Sequence, residues 1–361
     1  MIMKLSIKFT LLIFCLFVLS VMLISGCGSN AAGGGGASVS NRVGTYTYNG
    51  TQPHGDAWSW LISTETFIGS NETTGDWITG EWHALSSGFS KAKIIDSDIS
   101  GLIGESAYFL EFPNTMLLAK VVGPGNIIVC SATATLEPQE GRYDWVSVPN
   151  DVWLATQDAT YGTVEAYKSA GLWNFDICPY LLDDTANSVI NKIGYTFEAG
   201  TFSKGGSSFK VFMTPGGVFV GDNGLSLGGF AGAISPESFN LSDAVNRTYL
   251  GMESLYFTGT GTSDGFPVNA RKHPTISNAL IGNGFIQGQP EKGEDPDYKV
   301  KITFEATAQP GIFTAYQTDN SDYTNVYKLI ASKVGNEDRY MLFGAGEDEG
   351  QPSNIFLIQT N

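Results

Sequence analysis

The stretch Lys299-Val300-Lys301-Ile302-Thr303-Phe304-Glu305-Ala306 alternates between charged or polar side chains and apolar ones along its whole length. Successive side chains of a β-strand point to opposite faces of a sheet. One register therefore puts Val300, Ile302, Phe304 and Ala306 on the same face. We expect this stretch to form a strand with one buried face and one solvated face.

Similar patterns recur from residue 44 to the end of the chain. Trp58, Trp60 and Ile62, for example, share one face of the stretch 57–62. Glycine is frequent, at 44 of 361 residues, which suits many short strands joined by tight turns. We expect an all-β fold that is mainly antiparallel and sandwich or barrel-like, with one or two short helices. The other predicted strands are Gly44–Tyr48, Trp77–Leu85, Ala107–Phe112, Met116–Val122, Ile127–Leu136, Ser208–Met213, Val218–Val220, Ile312–Tyr316, Tyr323–Ala331, Arg339–Phe343 and Asn354–Gln359.

Three of the predicted hairpins share a Pro-Gly turn, at Pro124-Gly125, Pro215-Gly216 and Pro310-Gly311. Proline sets φ for the second position of a turn, and glycine accepts the positive φ that follows. Such copies could mark equivalent hairpins of duplicated units. The alternative is that Pro-Gly turns are simply common in antiparallel proteins.

Two stretches favour helices. Apolar residues recur near a 3.6-residue period in Tyr180–Ile193. Ser235 followed by Pro236 is typical of a helix start, and that helix would end at about Val245. All seven tryptophans lie at or before Trp173. We therefore expect a boundary near residues 180–195, between a Trp-rich β domain at 43–185 and a second β domain at 190–361.

The first 26 residues have the features of a secretory signal peptide. Two lysines precede an apolar run that is shorter than the roughly 20 residues of a membrane-spanning helix. The run ends Leu23-Ile24-Ser25-Gly26-Cys27, which resembles the lipobox of bacterial lipoproteins, here of an uncharacterised, mostly-β kind. The resemblance implies cleavage before Cys27, a diacylglycerol thioether on its sulfur and acylation of the new amine. Several acyl chains, including palmitate, would anchor the protein stably to a membrane.

The segment after Cys27 and the overall charge indicate where the protein is located and which partners it excludes. Residues 27–42 are rich in glycine, serine and alanine, which predicts a flexible tether. Gly28 rather than aspartate follows the cysteine, and in Gram-negative lipoproteins this implies outer-membrane delivery. Without the two signal lysines, 18 of the 20 basic residues remain against 36 acidic ones. A body this acidic repels nucleic acid, so we expect contact with the membrane only through the N-terminal lipid.

Two cysteines remain once the signal and the lipid are assigned, because Cys15 leaves with the signal and Cys27 carries the lipid. An oxidising compartment permits a disulfide between Cys130 and Cys178. The alternative is two separate buried thiols. No Cys/His spacing indicates a zinc site.

Catalytic motifs are weak throughout the chain. Residues 261–265 match the G-x-S-x-G string around Ser263, but Pro267 opposes the helix that this motif requires. The three histidines, His54, His83 and His273, are far apart, and the acidic groups match no calcium-loop spacing. We predict no catalytic residue, no metal ligand and no cofactor. The acidic groups, interpreted as solvated loop tips, are Glu291, Glu294, Asp295 and Asp297, then Asp319 and Asp322, then Glu347, Asp348 and Glu349.

Trp77 and Trp82 are the candidate ligand-stacking residues, because aromatic rings on a β scaffold stack on sugars or anchor partners. Strand tryptophans more often face a core, and that reading stays open. We expect a lipid-anchored cell-envelope lipoprotein with a non-enzymatic, structural or partner-binding β body, whose partner is an envelope protein or a glycan. The alternative is glycan or small-ligand binding through the N-terminal aromatics. A hydrolase without a recognisable site is the third hypothesis.

Overall fold

The computed structural model describes residues 46–51, 57–72, 74–112, 115–121, 127–132, 138–148, 160–181, 193–213, 217–222, 229–235, 239–256, 263–272, 278–309, 311–318, 324–333, 339–348 and 351–360. Within these ranges lie 24 β-strands, one α-helix and two short 3₁₀ turns. The strands form three closed barrels in chain order. In each barrel, consecutive strands pair antiparallel and the eighth strand pairs with the first. The expected all-β, mainly antiparallel class is confirmed, in its barrel form.

The first barrel contains β1 Tyr46–Thr51, β2 Ala57–Ile62, β3 Thr66–Asn71, β4 Trp77–Ala84, β5 Ser90–Ser97, β6 Ser106–Phe112, β7 Met116–Val121 and β8 Ile127–Ala132. The second contains β9 Gly141–Val148, β10 Thr160–Ser169, β11 Leu172–Leu181, β12 Ile193–Glu198, β13 Thr201–Lys204, β14 Ser207–Met213, β15 Val218–Asp222 and β16 Gly229–Ile234. The helix α1, Leu241–Val245, precedes the third barrel. That barrel contains β17 Thr248–Tyr256, β18 Ser263–Lys272, β19 Ala279–Phe285, β20 Glu294–Ala306, β21 Ile312–Thr318, β22 Thr324–Lys333, β23 Tyr340–Asp348 and β24 Gln351–Gln359. In the part of the chain described, no helix is long and apolar enough to cross a bilayer.

Each barrel is filled by its own inward-facing side chains, as expected for eight strands. Trp60 and Phe67 occupy the first barrel and Phe175 the second. Val300, Ile302 and Phe304 occupy the third, so the alternation predicted for β20 is confirmed at these positions. Ala306 is exposed instead, because it lies at the end of the strand.

A fourth apolar cluster lies between the barrels and contains residues from all three. Strands that border it are buried on both faces. Leu117 faces the interior of the first barrel while its neighbour Leu118 joins the central cluster. Leu357 and Ile358 do the same in the third barrel. Strands buried on both faces are continuous apolar runs rather than alternating ones, which explains the sequences of β7, β8, β23 and β24.

The structure places the domain boundaries differently from the sequence prediction. The predicted boundary near 180–195 falls between β11 and β12, which are hydrogen-bonded neighbours in the second barrel. The chain passes between barrels after β8 and after β16 instead. The tryptophan distribution misleads here because the first two barrels contain tryptophan and the last one does not.

The helix predictions agree with the structure only in part: a helix does end at Val245, but it begins later than the sequence indicates. Tyr180 and Leu181 belong to β11 and Ile193 begins β12, while residues 182–192 lie outside the described ranges. Ser235 follows β16, where its N–H donates to the carbonyl of Arg142 at 2.7 Å, and residues 236–238 lie outside the described ranges. The helix begins at Leu241, where the Asn240 side chain accepts a hydrogen bond from the N–H of Ser242.

The three strand pairs flanking the Pro-Gly sequences do form antiparallel hairpins, β7–β8, β14–β15 and β20–β21. They occupy different positions in their barrels: seventh and eighth, sixth and seventh, and fourth and fifth. The recurring Pro-Gly sequence therefore does not mark equivalent hairpins of duplicated units. It reflects the general use of this turn in antiparallel sheets.

Candidate ligand groove on the first barrel

An open groove of about 1010 Å³ runs along the outer face of the first barrel and reaches the third. Strands β4, β5 and β6 form its floor. The 3₁₀ turn Pro290–Lys292, which precedes β20, forms one wall. Its lining residues are Thr64, Glu65, Thr66, Glu81, Trp82, His83, Ala84, Lys91, Ala92, Lys93, Gly104, Ser106 and Glu291.

The alternation of β4 and β5 explains why charged side chains line this groove. Along β4, Ile78 and Trp82 are buried while Glu81 and His83 are exposed. Antiparallel pairing then places Glu81 opposite Lys93 and His83 opposite Lys91. Glu81 and Lys93 carry opposite charges and attract each other across the strand pair, so charges of both signs line the floor.

The Glu291 carboxylate holds this wall by accepting hydrogen bonds from Lys91 and Tyr108. Lys91 Nζ lies 2.6 Å from Glu291 Oε1, and the Tyr108 hydroxyl donates to Glu291 Oε2 at 2.6 Å. Burial raises the pKa of Tyr108, and the neighbouring Glu291 carboxylate raises it further. Burial would also raise the pKa of Glu291, but the hydrogen bonds from Lys91 and Tyr108 outweigh it and lower that pKa. Glu291 is therefore ionised at neutral pH, and it joins the first barrel to the third.

The two candidate stacking residues are not brought together. Trp77 is half-buried on the outer face of β4, whereas Trp82 points inward and is only 9% exposed. The Trp82 indole N–H donates to the Ser63 carbonyl at 3.0 Å. Trp82 thus contributes an edge to the groove and no open ring face, because its face packs in the core. As a stacking pair, Trp77 and Trp82 would need to lie on the same face, and they do not.

The predicted disulfide is not formed. Cys130 and Cys178 are both free thiols. Cys130 faces the interior of the first barrel, and Cys178 lies on β11 of the second barrel, packed against the central cluster. The alternative of two separate thiols is the one observed. Cys27, the predicted lipid attachment point, lies outside the described residues together with the signal and the tether.

The remaining sequence candidates are scattered. Ser263 begins the strand β18, where a catalytic elbow would need a helix to follow. Of the histidines, His83 lies in the groove, while His54 and His273 lie outside the described residues. Within the described ranges, no group of three or more His, Cys, Asp or Glu side chains is arranged to hold a metal ion.

Two members of the first acidic group, Glu291 in the turn before β20 and Glu294 on β20, are held by hydrogen bonds and are not solvated loop tips. Glu291 holds the groove wall. Glu294 on β20 accepts hydrogen bonds from Asn269, Arg271 and Asn283. Sequence reasoning missed the two bonds of Glu291 because their donors lie about 200 residues away in the chain. No local pattern could have indicated them.

Comparison with known proteins gives a weak likeness. No protein family matches the chain, and no curated protein does. Among solved structures, the chain is similar to transferrin binding protein B from serogroup B Neisseria meningitidis, with 10% identity, a TM-score of 0.28 and coverage of 84% of this chain. It spans 65% of the length of that protein.

A variant of transferrin binding protein B from Haemophilus parasuis gives 8% identity and a TM-score of 0.25, over 88% of this chain and 76% of the other. At such scores the likeness carries no inference about function.

Proposed function

We propose that this chain is a lipid-anchored protein of the cell envelope that is not an enzyme and binds a partner through the outer surface of its barrels. The observation that supports this is the filling of the barrel interiors. Trp60, Phe67 and Ile302, from the cores of the first and third barrels, are 0–1% exposed. Side chains already occupy the space that a ligand would need. Binding must therefore take place on the outer faces and in the groove.

The chemistry of the groove favours binding over catalysis. Lys91 is engaged in an ion pair with Glu291, so it is a poor general base. Tyr108 has a raised pKa and donates a hydrogen bond to Glu291, so its hydroxyl stays neutral at neutral pH. These groups hold two barrels together. Because Lys91 and Tyr108 are engaged in these contacts with Glu291, we assign them a structural role.

The anchor part of the proposal rests on the lipobox-like sequence at Leu23–Cys27. Replacing Cys27 with serine removes the sulfur to which the lipid would attach. We expect the Cys27→Ser chain to leave the membrane fraction or to accumulate uncleaved. Cys15→Ser is the matched control, because that cysteine lies within the signal, and it should be processed and anchored normally. Unchanged membrane partition together with normal processing of Cys27→Ser would contradict the proposal.

A second candidate function is binding of a glycan or small polar ligand in the groove. Hydroxyl and carboxylate side chains such as Thr66, Glu81 and Ser106 line it beside the Trp82 edge, and these groups hydrogen-bond sugars. Calorimetric titration of the full-length chain with cell-envelope oligosaccharides tests this. Binding that Glu81→Gln weakens would support the glycan function, and heat signals unchanged by this variant would argue against it.

A further inference from the structure

Three large apolar side chains are exposed on one side of the first barrel. Ile68 is 38% exposed, Ile95 51% and Ile103 60%. We call these three residues the isoleucine patch. Tyr167 and Leu172, beside the turn between β10 and β11 in the second barrel, are the other large apolar residues exposed in the described part of the chain. Clustered apolar exposure on a folded surface is typical of an interaction site.

The register of the sheet brings the isoleucine patch together. Leu61 on β2 lies opposite Ile68 on β3, and Ile68 lies opposite Thr79 on β4. Thr79 in turn lies opposite Asp96 on β5. The β4–β5 ladder is irregular between Thr79 and Gly80, and this irregularity leaves Ile95 beside Asp96 on the outer side.

Ile103 joins the patch from the loop between β5 and β6. The N–H of Gly104 donates to the carbonyl of Ile94 at 2.9 Å. This bond sets Ile103, which precedes Gly104, beside Ile95, which follows Ile94. Trp77, half-buried on the outer face of β4, lies one step along the same surface. The groove adjoins the patch at Gly104.

Acidic residues surround the isoleucine patch. Asp96 and Asp98 follow Ile95, and Glu105 follows Ile103 by two positions. Asp76 precedes Trp77. Two basic residues also lie on the outer side of β5: Lys93, and Lys91, which pairs with Glu291. Both the apolar area and the negative charge therefore face outward here. A protein surface that carries apolar and basic side chains would match both features.

We propose that the outer face of β2–β5, centred on the isoleucine patch, is the docking surface for a protein partner whose contact surface is apolar and basic. This inference rests on the proposed function and names the surface and the partner's chemistry. A second copy of the chain would present the same acidic rim and be repelled. Anionic lipid is disfavoured by the same charges.

The size of the face predicts a short-lived complex. The four strands have six or eight residues each. At about 4.8 Å between strands and about 3.3 Å per residue, they give a face of roughly 15 by 20–26 Å. This area is smaller than the roughly 800 Å² per partner of a standard stable interface. Covalent crosslinking in the cell is therefore a better way to identify the partner than purification of the complex.

Site-specific photo-crosslinking in living cells tests the proposal with the full-length, anchored chain. A benzophenone amino acid replaces Ile103, and in a parallel strain it replaces Leu172, the matched exposed apolar position on the second barrel. We expect Ile103 to crosslink to one defined protein with a basic contact surface, and Leu172 not to do so. Equal crosslinking from both positions would overturn the proposal, because it would show collisional capture.

Substitutions in the chain that carries the crosslinker at position 103 then separate the apolar contribution to binding from the electrostatic one. Ile68→Ser with Ile95→Ser should lower the crosslink yield from position 103 at least fivefold, because apolar contact is lost. Asp96→Asn with Glu105→Gln should lower the yield and make it less sensitive to salt. Tyr167→Ser should leave the yield within twofold of the parent. Thermal unfolding of each variant confirms that the barrels are intact.

Other outcomes separate this inference from the proposed function. Crosslinks only to a second copy of this chain, or only to lipid or glycan, would overturn the docking surface. A third strain carries the crosslinker in place of His83 in the groove. Crosslinks to a protein partner from position 83 but not from position 103 would support partner binding and reject this surface. An absence of protein crosslinks from all three positions would contradict both.

Discussion

Tyr108 in the first barrel donates a hydrogen bond of 2.6 Å to Glu291, in the connection between β19 and β20 of the third barrel, across 183 residues of sequence. The tyrosine is 2% exposed, so its hydroxyl has little access to water if the bond is lost. A hydrogen bond to a charged group contributes about 1.5–3 kcal/mol. We expect Tyr108→Phe to lower the free energy of unfolding by about 1–3 kcal/mol in urea titrations.

Tyr316→Phe is the control for this change. Its hydroxyl also donates to a carboxylate, that of Glu305, but at 3.1 Å and on the surface. Water replaces such a bond readily, so the effect should be small. Equal losses for the two variants would show that burial at the barrel junction does not matter.

The Glu291 carboxylate should make the free energy of unfolding depend on pH. The pKa of Glu291 is lowered from its ordinary value of 4.5, because the donors Lys91 and Tyr108 outweigh the effect of burial. A lowered pKa in the folded state gives stability that is present above the ordinary value and is lost as the pH falls through the folded value. The stability difference between the parent and Glu291→Gln should therefore be largest above pH 4.5 and should shrink in acid. Lys91→Met should reduce this pH-dependent difference, and a difference that grows in acid would contradict the assignment.

Gly69 tests the packing inside the first barrel. It lies opposite Trp60 in the β2–β3 pair, and a methyl group on it would lie 2.8 Å from the Trp60 ring. Overpacking of this kind costs about 1–3 kcal/mol, so Gly69→Ala should lower the denaturation midpoint. Gly194→Ala is the matched control, because Gly194 is an exposed strand glycine whose nearest neighbour is Asp176 Oδ1 at 3.4 Å. It should be neutral or slightly stabilising.

The two thiols should differ in reactivity. Cys130 is fully buried, and burial raises its pKa, so iodoacetamide should modify it only after unfolding. Cys178 is partly exposed and should react first. Mass spectrometry of the native chain under non-reducing conditions measures both sites. A mass lower by two hydrogens, with neither site alkylated after unfolding, would show a disulfide instead.

Local patterns in the sequence were enough to find many strands but not their partners. The alternation in β20 correctly predicted Val300, Ile302 and Phe304 as inward. The number of barrels depends on which strand closes on which, as when β8 returns to β1. That pairing joins residues about 80 positions apart, and no local period records it.

The groove was beyond sequence reasoning for the same reason. The sequence around Glu291, in the groove wall, is typical of a solvated acidic loop, because the donors Lys91 and Tyr108 are remote in the chain. Trp82 was recognised as a candidate, but a tryptophan on a strand has the same local signal whether it points inward or outward. Only the closed barrel decides between them, and it places Trp82 inside.

The cluster shared by the three barrels also limits how the chain can be divided. Outward side chains such as Leu118, Val220 and Phe356 are covered only because the other barrels are present. A single excised barrel would expose them to water and would tend to aggregate. The three barrels should therefore melt together in one calorimetric transition, and their slowest amide exchange should lie in β7, β8, β23 and β24. In evolutionary terms, none of the three could be exchanged for an unrelated barrel without refitting the surface that all of them share.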